Sequence, residues 1–492
     1  MPRLSLALGN LSRDIPFEGT PLLASLLQDK GLRLDLPCGG RGVCGKCRIE
    51  ASGLLSPETA AERAAGSRLA CQVRLLGDAR VTLPALHQME NIAASGVRPL
   101  FELAPLQGRC GMAVDIGTTT LAATLLQLQS GEVLASATAE NPQRAVAADV
   151  IGRMEAAMAG CAGLLQSLIV GAVEQLRARL CEQAGIPAGD IDQTVITGNT
   201  TMLYLYSLKD PEPLSHAPFR ADCLFGQQMG PQEAHIYIPR CISAFVGADI
   251  TCAILASQLC RGGETALLAD IGTNGEIALQ HKGRLYVCAT AAGPAFEGGG
   301  IEHGCGSIAG AIDRVWAQDG KPAFSTIGSA RPQGICGSGV IDTVATLLQL
   351  GQLDETGLLD GQRVQLDEKI CFTQKDVRSV QLAKSAVTAG ILTLCQTVGV
   401  SLDDIASLYL AGGFGKHIDL DNAAAIGLIP QALINRTKVI GNAALVGAEM
   451  LLLQKSFTRE TEKYAGESEV VVLSGNPIFS GHYISCMTLE PS

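Results

Sequence analysis

At 492 residues the chain is too long for a single hydrophobic core, and its length predicts two to four domains. Its formal net charge of −11 argues against nucleic acid as a partner, because an acidic surface repels a polyanion. We find no apolar run of about 20 residues and no signal-peptide pattern, so we expect a cytoplasmic protein without a membrane span. The 17 cysteines are then expected to be reduced thiols rather than a disulfide scaffold.

The first predicted elements lie before a glycine-rich loop. Residues 4–9 (LSLALG) predict a strand, and Thr20-Pro21 predicts the start of a helix that ends at Gly31. The loop that follows, PCGGRGVCGKC, spaces three cysteines as Cys-x5-Cys-x2-Cys, and a fourth stands 24 positions later in RLACQVRL. These candidate metal ligands are Cys38, Cys44, Cys47 and Cys71.

Four thiolates are what a [2Fe–2S] cluster requires, and the loop glycines allow backbone N–H groups to approach its sulfurs. Zinc held by four cysteines is the alternative, but such sites usually carry paired Cys-x2-Cys knuckles, and only one pair is present. The spacing resembles the adrenodoxin and putidaredoxin variant of the β-grasp ferredoxins. We therefore predict an α+β [2Fe–2S] ferredoxin-like domain over residues 1–84. Residues 85–108 are predicted to be a linker with room for a tether only.

An internal duplication begins after the linker. GMAVDIGTTTLAATLLQLQSGEV, from residue 111, predicts a strand, a turn, a second strand and a hairpin, and the unit recurs 155 residues later as ALLADIGTNGEIALQHKGRL. A second pair of segments, AGDIDQTVITGNTTM and LDDIASLYLAGGFGK, each predicts a strand that ends in a glycine turn. The second copy is longer by 59 residues between corresponding aspartates, which predicts an insertion at about 285–345.

Each DIGT turn has the composition of a phosphate-binding loop. Glycines let backbone N–H groups point at phosphate oxygens, threonine hydroxyls add donors, and an aspartate holds Mg²⁺ or its waters. We therefore predict Asp115 and Asp270 as the catalytic residues. The predicted nucleotide-binding residues are Gly117, Thr118, Thr119, Thr120, Gly198, Asn199, Gly272, Thr273, Asn274, Gly275, Gly412, Gly413 and Phe414.

This duplicated pattern resembles the superfamily of acetate and sugar kinases, heat-shock ATPases and actin (ASKHA, ribonuclease H-like). In that superfamily two Asp-Gly-Thr hairpins grip the ATP phosphates and a Gly-Gly turn contacts adenosine. The resemblance implies a duplicated α/β actin-like ATPase domain that binds ATP with Mg²⁺. Its first half would span residues 109–265 and its second half residues 266–492.

The joining of the two modules resembles the reductive activators of corrinoid proteins. Recurring segments of that family are matched by NPQRAVAADVIGRM, SAFVGADI, AAGPAFEGGGIEHGCGSIAGAI, GICGSGVID and LSGNPIF. The resemblance implies ATP-dependent one-electron reduction of a corrinoid cobalt from Co(II) to Co(I), with electrons passed through the [2Fe–2S] cluster. It also implies a corrinoid protein and a low-potential electron donor as partners, and it allows a homodimer. Within the insertion, Glu302, His303 or Ser307 would face the corrinoid protein; a loop that shapes the nucleotide cleft is the alternative.

Three other functions remain open on the sequence. A redox-regulated small-molecule kinase would need a third polar pocket for an acceptor and would turn over ATP without a corrinoid protein. An activator of radical dehydratases usually lacks a ferredoxin module, so the four cysteines count against it. A nucleotide-gated scaffold would show no turnover.

Overall fold

The computed structural model describes residues 2–8, 11–29, 40, 42, 47–83, 96–229, 236–413 and 418–492. The chain divides into two compact units. The first unit comprises residues 1–88, 141–172 and 204–215, and the second comprises residues 89–140, 173–203 and 216–492.

The N-terminal part of the first unit is a five-stranded mixed sheet with the strand order β2-β1-β5-β3-β4. Leu4 and Leu6, two residues apart on one face of β1, are fully buried, as is Leu23 at the start of α1. The predicted strand is confirmed, whereas the helix begins at Leu23, two residues after the predicted Pro21. The elements are β1 (Arg3–Leu8), β2 (Leu11–Pro16), α1 (Leu23–Asp29), β3 (Arg48–Leu55), α2 (Ala60–Ala65), β4 (Arg68–Leu69) and β5 (Leu75–Leu83).

A long kinked helix corrects one expectation from the sequence. Val150–Ala184 is the one helix among the described residues that is long and apolar enough to cross a membrane. Residues 156–173 carry no charged side chain, so the expectation that no such run exists was wrong. A π-helical turn with Gly160 at φ 99° divides it into α3 (Val150–Ala156) and α4 (Ala162–Ala184). Helices of water-soluble proteins also meet this criterion of length and composition.

The second unit contains two six-stranded sheets, β10-β11-β9-β6-β7-β8 and β21-β20-β12-β13-β14-β22, which match over five strands and carry their sixth strand at opposite edges. The strands of the first sheet are β6 (Cys110–Ile116), β7 (Thr120–Gln127), β8 (Val133–Glu140), β9 (Ile191–Gly198), β10 (Gln227–Met229) and β11 (Ile236–Ile238). The strands of the second are β12 (Ala266–Ile271), β13 (Gly275–His281), β14 (Arg284–Thr290), β20 (Ser407–Gly412), β21 (Thr437–Gly441) and β22 (Glu469–Val470).

The two sheets repeat each other down to the register. β6 and β12 each pair antiparallel with the next strand and parallel with the strand that carries the later glycine turn. Ile116 lies opposite Gly198 in the first sheet, and Ile271 lies opposite Gly412 in the second. The duplicated α/β fold predicted from the sequence is therefore confirmed. In each sheet the DIGT turn and a glycine turn follow neighbouring parallel strands at the same end of those strands.

Two buried helices pack against each other between the repeats. These are α7 (Ala248–Ser257) and α11 (Ala443–Leu453), which are mostly apolar, as buried helices are, with one acidic residue each, Asp249 and Glu449. Gly447 of α11 lies against the carbonyl oxygen of Cys252, so any side chain at this crossing would collide with the backbone of α7. The remaining helices are α5 (Thr200–Tyr206), α6 (Glu212–Ser215), α9 (Gln374–Val398), α10 (Leu420–Ala425), α12 (Phe457–Glu467) and α13 (Pro477–Ser485).

The additional structure of the second repeat lies between β14 and α9. The predicted start of the insertion, residue 285, falls inside β14, and the additional elements continue to residue 373, beyond the predicted end at about 345. It forms a three-stranded sheet, a helix and a two-stranded hairpin. Its elements are β15 (Ala311–Gln318), β16 (Lys321–Thr326), β17 (Gly334–Ile335), α8 (Gly337–Gln349), β18 (Arg363–Asp367) and β19 (Ile370–Thr373).

Part of the predicted tether is fixed to the second unit. Residues 96–106, which we call the strap, run beside α11: the Val97 amide donates to the Ile440 carbonyl at 3.0 Å, and the Leu106 amide donates to that of Leu452 at 2.9 Å. The Arg98 guanidinium pairs with the buried Glu449 of α11 at 3.5 Å. Part of the linker predicted over residues 85–108 is thus bonded to the second unit, its bounds as a linker stay a prediction, and residues 84–95 lie outside the described part of the chain.

Candidate functional site

The two DIGT turns meet. The Thr119 and Thr273 hydroxyl oxygens lie 3.3 Å apart, although 154 residues separate them in the chain. Each turn is closed by its own backbone, because the Gly117 amide donates to the Thr120 carbonyl and the Gly272 amide donates to that of Asn274, both at 3.0 Å. The fold thus places both predicted phosphate loops at one location.

Four carboxyl groups surround this meeting point and perturb one another. Burial raises the pKa of Asp115 to about 6, that of Asp249 to about 7 and that of Asp270 to about 8. Burial also raises the pKa of Glu276 well above its ordinary value, and the charges of Asp249 and Asp270 add to the effect. So much negative charge in a desolvated cleft favours either protonation or a bound divalent cation. The predicted catalytic pair, Asp115 and Asp270, lies in this group.

Asn442 fixes the orientation of Asp115. Its side-chain amide donates to Asp115 Oδ2 at 2.9 Å, and this hydrogen bond opposes the pKa rise caused by burial. The Asn442 Oδ1 atom accepts from the Leu445 amide at 2.8 Å and so caps the N-terminus of α11. One side chain therefore connects the first DIGT turn to a helix that begins 327 residues later in the chain.

Glu297 holds the second DIGT turn. Its carboxylate accepts from the Thr273 amide at 3.0 Å and from the Thr273 hydroxyl at 2.7 Å. Glu297 ends a 3-10 turn at the start of the additional structure, so the beginning of this segment shapes the phosphate cleft. For its first residues, this geometry supports the interpretation that the AFEGGG segment is a loop that shapes the nucleotide cleft, rather than one that faces the corrinoid protein.

Glu297 and Asp249 were not predicted. The available signals were the conspicuous AFEGGG run for Glu297 and, for Asp249, an acidic residue in the first turn of a helix within SAFVGADI. Neither signal indicates which loop the residue will reach.

The two glycine turns flank the cleft on equivalent strands. The Asn199 amide donates to the Thr118 hydroxyl at 3.1 Å, which ties the ITGN turn to the first DIGT turn. Gly198 and Gly412 adopt φ of 155° and 133°, and a Cβ at either position would meet the carbonyl oxygen of the paired isoleucine. A Cβ at Gly413 would meet none of the described residues. Of the remaining predicted residues, Thr120 and Gly275 are the first residues of β7 and β13, and Phe414 lies outside the described residues.

Two of the four predicted cluster ligands are described. Cys47 and Cys71 are buried, at 5% and 3% exposure, whereas Cys38 and Cys44 lie outside the described residues. The Gln72 side-chain amide donates to the Gly40 carbonyl at 2.9 Å and lies 3.6 Å from Cys71 Sγ. Gln72 was not predicted. A donor beside the sulfur suits a thiolate that carries charge, as a cluster ligand does.

Comparison with known families divides the chain in the same order as the sequence analysis. Residues 10–76 match the 2Fe-2S iron-sulfur cluster binding domain. Residues 110–262 match the RACo middle region, and residues 264–492 match the C-terminal domain of RACo, the ASKHA domain.

Similar proteins cover most of the chain. The corrinoid activation enzyme RamQ of Eubacterium limosum is 36% identical over 384 residues, which are 70% of this chain and 64% of that enzyme. The chain thus spans less than two thirds of RamQ. The [Co(II) methylated amine-specific corrinoid protein] reductase of Methanosarcina barkeri is 26% identical over 386 residues, 70% of each chain. A solved structure titled reductive activator for corrinoid, iron-sulfur protein has a TM-score of 0.73 at 27% identity and covers 99% of this chain and 98% of its own.

Proposed function

The chain belongs to the RACo family of reductive activators of corrinoid proteins, and from this premise we propose that it performs ATP-dependent, one-electron reduction of a corrinoid protein from Co(II) to Co(I). The observation that carries the proposal is the meeting of both DIGT turns, with four acidic side chains around them, in a chain that also carries a 2Fe-2S domain. An electron carrier needs no such cleft, and a sugar kinase needs no such domain.

The residues of the cleft would bind the nucleotide and hold its cation. The backbone amides and hydroxyls of the two turns would donate to phosphate oxygens, and Asp115 and Asp270 would hold Mg²⁺ and orient the attacking water. Glu297 keeps the Thr273 hydroxyl and amide directed within the second turn. Binding of Mg²⁺ would keep the aspartates ionised at neutral pH, because a nearby cation lowers the pKa of a carboxyl group.

Cys38, Cys44, Cys47 and Cys71 would hold the [2Fe–2S] cluster, which supplies a centre that changes by one electron. The buried Cys47 and Cys71 and the Gln72 amide are what the described part of the domain provides for it. Reduction of the cobalt to Co(I) is energetically uphill for an ordinary [2Fe–2S] cluster. The reduction potential of a plant-type cluster is about −400 mV. Each further 100 mV costs about 2.3 kcal/mol per electron. Docking that is tenfold tighter to the Co(II) state than to the Co(I) state supplies only about 1.4 kcal/mol. We therefore propose that ATP supplies the rest of the free energy.

The partners follow from the reaction. We propose a corrinoid protein as the electron acceptor and a separate low-potential protein as the donor, with no nucleic acid and no membrane involved. A cytoplasmic location and a homodimer complete the proposal. The similarity to a corrinoid activation enzyme and to a corrinoid protein reductase supports the choice of acceptor.

The test is a reduction assay. The reduced protein is mixed with the Co(II) form of the corrinoid protein encoded beside it, with and without Mg-ATP, and the Co(I) absorption is followed. We expect an ATP-dependent Co(I) signal that the Asp270→Asn variant loses while its [2Fe–2S] spectrum is unchanged. Steady ATP turnover without Co(I) formation would refute the proposal and favour the redox-regulated kinase.

A further inference from the structure

We propose that Glu302, His303 and Cys371 form a binding site for one zinc ion, separate from the cluster and from the nucleotide cleft. A carboxylate oxygen, an imidazole nitrogen and a thiol sulfur of these residues lie within 4.8 Å of one another. Such a separation requires only small side-chain movements to bring all three atoms to about 2.0–2.3 Å from one ion. The proposal does not depend on the function proposed above.

The first two ligands lie in a turn that is held by its backbone. The Glu302 amide donates to Asp376 Oδ1 at 2.7 Å, and the His303 carbonyl accepts from the Ile335 amide at 2.8 Å. Ile301, just before them, is 1% exposed and packs in the core of the second repeat. The turn is therefore fixed on both sides of the two ligands.

The third ligand comes from a different element. Cys371 lies in β19, where Gln365 of β18 is its antiparallel partner, and it is 8% exposed. The fold thus brings a thiol to a Glu-His pair that precedes it by 68 residues. Neither the pair nor the cysteine alone indicates a site, and the convergence of the three from separate segments carries the proposal.

Asp376 links the two segments. It is fully buried at the start of α9, directly after β19, and accepts from the Thr373 amide and hydroxyl, both at 2.9 Å, as well as from Glu302. A buried carboxylate with three donors is a rigid support, and such supports around a metal site hold the ligands in the binding geometry.

The donor set selects the metal. One sulfur, one nitrogen and one oxygen suit Zn²⁺, whereas Mg²⁺ and Ca²⁺ prefer oxygen alone. Three protein ligands leave the fourth tetrahedral position to water. Since Glu302 is exposed, His303 is half-buried and Cys371 is buried, the site opens to solvent on the side of Glu302. Cys371 would bind as a thiolate and release its proton to solvent.

The experiment measures metal content and coordination in the full-length protein with its [2Fe–2S] cluster in place. After incubation with one equivalent of Zn²⁺ and gel filtration, we expect one zinc per chain in addition to two irons. The zinc X-ray absorption spectrum should show one sulfur and the rest nitrogen or oxygen. Cys371→Ala should weaken zinc binding at least about 100-fold, which is the upper range for loss of an outer-shell partner. Cys395→Ala, a buried cysteine on α9, is the matched control and should bind zinc normally.

Two outcomes would overturn the proposal. Less than about a tenth of an equivalent of retained zinc would show that the three atoms do not form a site. A shell of four sulfurs would show that zinc had entered the cysteine loop instead. Should Cys371→Ala fail to fold, Glu302→Gln with His303→Gln replaces it, because both side chains are outside the core. None of these measurements uses ATP or a corrinoid protein, so the result is independent of the proposed activity.

Discussion

Neutralising Asp270 should stabilise the metal-free protein while it removes activity. Burial raises the pKa of this carboxyl from 3.8 to about 8, so the folded chain binds a proton that the unfolded chain has released between those values. The contribution of protonated Asp270 to the free energy of unfolding is fully present below about pH 4 and is lost as the pH rises through about 8. At 1.36 kcal/mol per unit the upper limit is about 6 kcal/mol. Because the side chain is only partly buried in the folded chain, solvent screens some of this effect, and we expect about 1–3 kcal/mol for Asp270→Asn at pH 8.

The assay is thermal unfolding in EDTA, without nucleotide, from pH 5 to pH 9. For a unit of this size the gain corresponds to a rise of about 1–4 °C in Tm at pH 8 and a smaller one at pH 5, with a flatter pH profile. Asp360→Asn, an exposed aspartate of the same unit, is the control and should follow the wild type. A variant that is less stable than the wild type at pH 8, or that keeps the same pH slope, would refute the reasoning.

Three further predictions concern contacts around the cleft and the strap. Asn442→Ser should keep the helix cap and stay within about 0.5 kcal/mol of wild-type stability, whereas Asn442→Ala should lower the free energy of chemical unfolding by about 1–2 kcal/mol. Both variants should hydrolyse ATP more slowly, and wild-type rates in either would contradict the proposal that Asn442 positions Asp115. Gly412→Ala should lose about 2 kcal/mol or more of stability because of its φ of 133°. Gly413→Ala, whose Cβ would meet no described residue, should unfold like the wild type. Arg98→Met should lower the free energy of unfolding by about 1–3 kcal/mol because it leaves the buried Glu449 without its cation. Adding Glu449→Gln should restore at least half of the lost stability, and a double variant whose loss equals the sum of the two single losses would disprove the pairing.

The sequence predicted what depends on short segments. Asp115 and Asp270 stand in repeated DIGT turns. A strand followed by a glycine turn is recognisable from a few neighbouring residues, whatever the rest of the fold is. The register that places Gly198 opposite Ile116 then follows from the duplication. The spacing of the four cysteines is also a local pattern, and the 2Fe-2S domain match over residues 10–76 agrees with the cluster that it predicts, whereas the ligand set stays a prediction.

What the sequence did not predict depends on distant segments meeting. Asp249, Glu297 and Asn442 reach the cleft from a helix start, a 3-10 turn and a helix cap, and nothing in their immediate neighbours specifies the contact. The same holds for Cys371, whose sequence context is that of an ordinary buried strand residue. The strap was missed for another reason: polar and apolar residues mix in it, and its order comes from backbone hydrogen bonds to β21 and to the last residues of α11.

The strap and Asp115 both contact α11 or its N-cap residue. Asn442, which touches Asp115, and Glu449, which holds Arg98, are seven residues apart, about 10 Å along a helix axis. Because close-packed interiors are stiff, we expect the two ends of this buried helix to move together. The strap is therefore bonded to the same helix whose N-cap residue donates to Asp115 of the first DIGT turn.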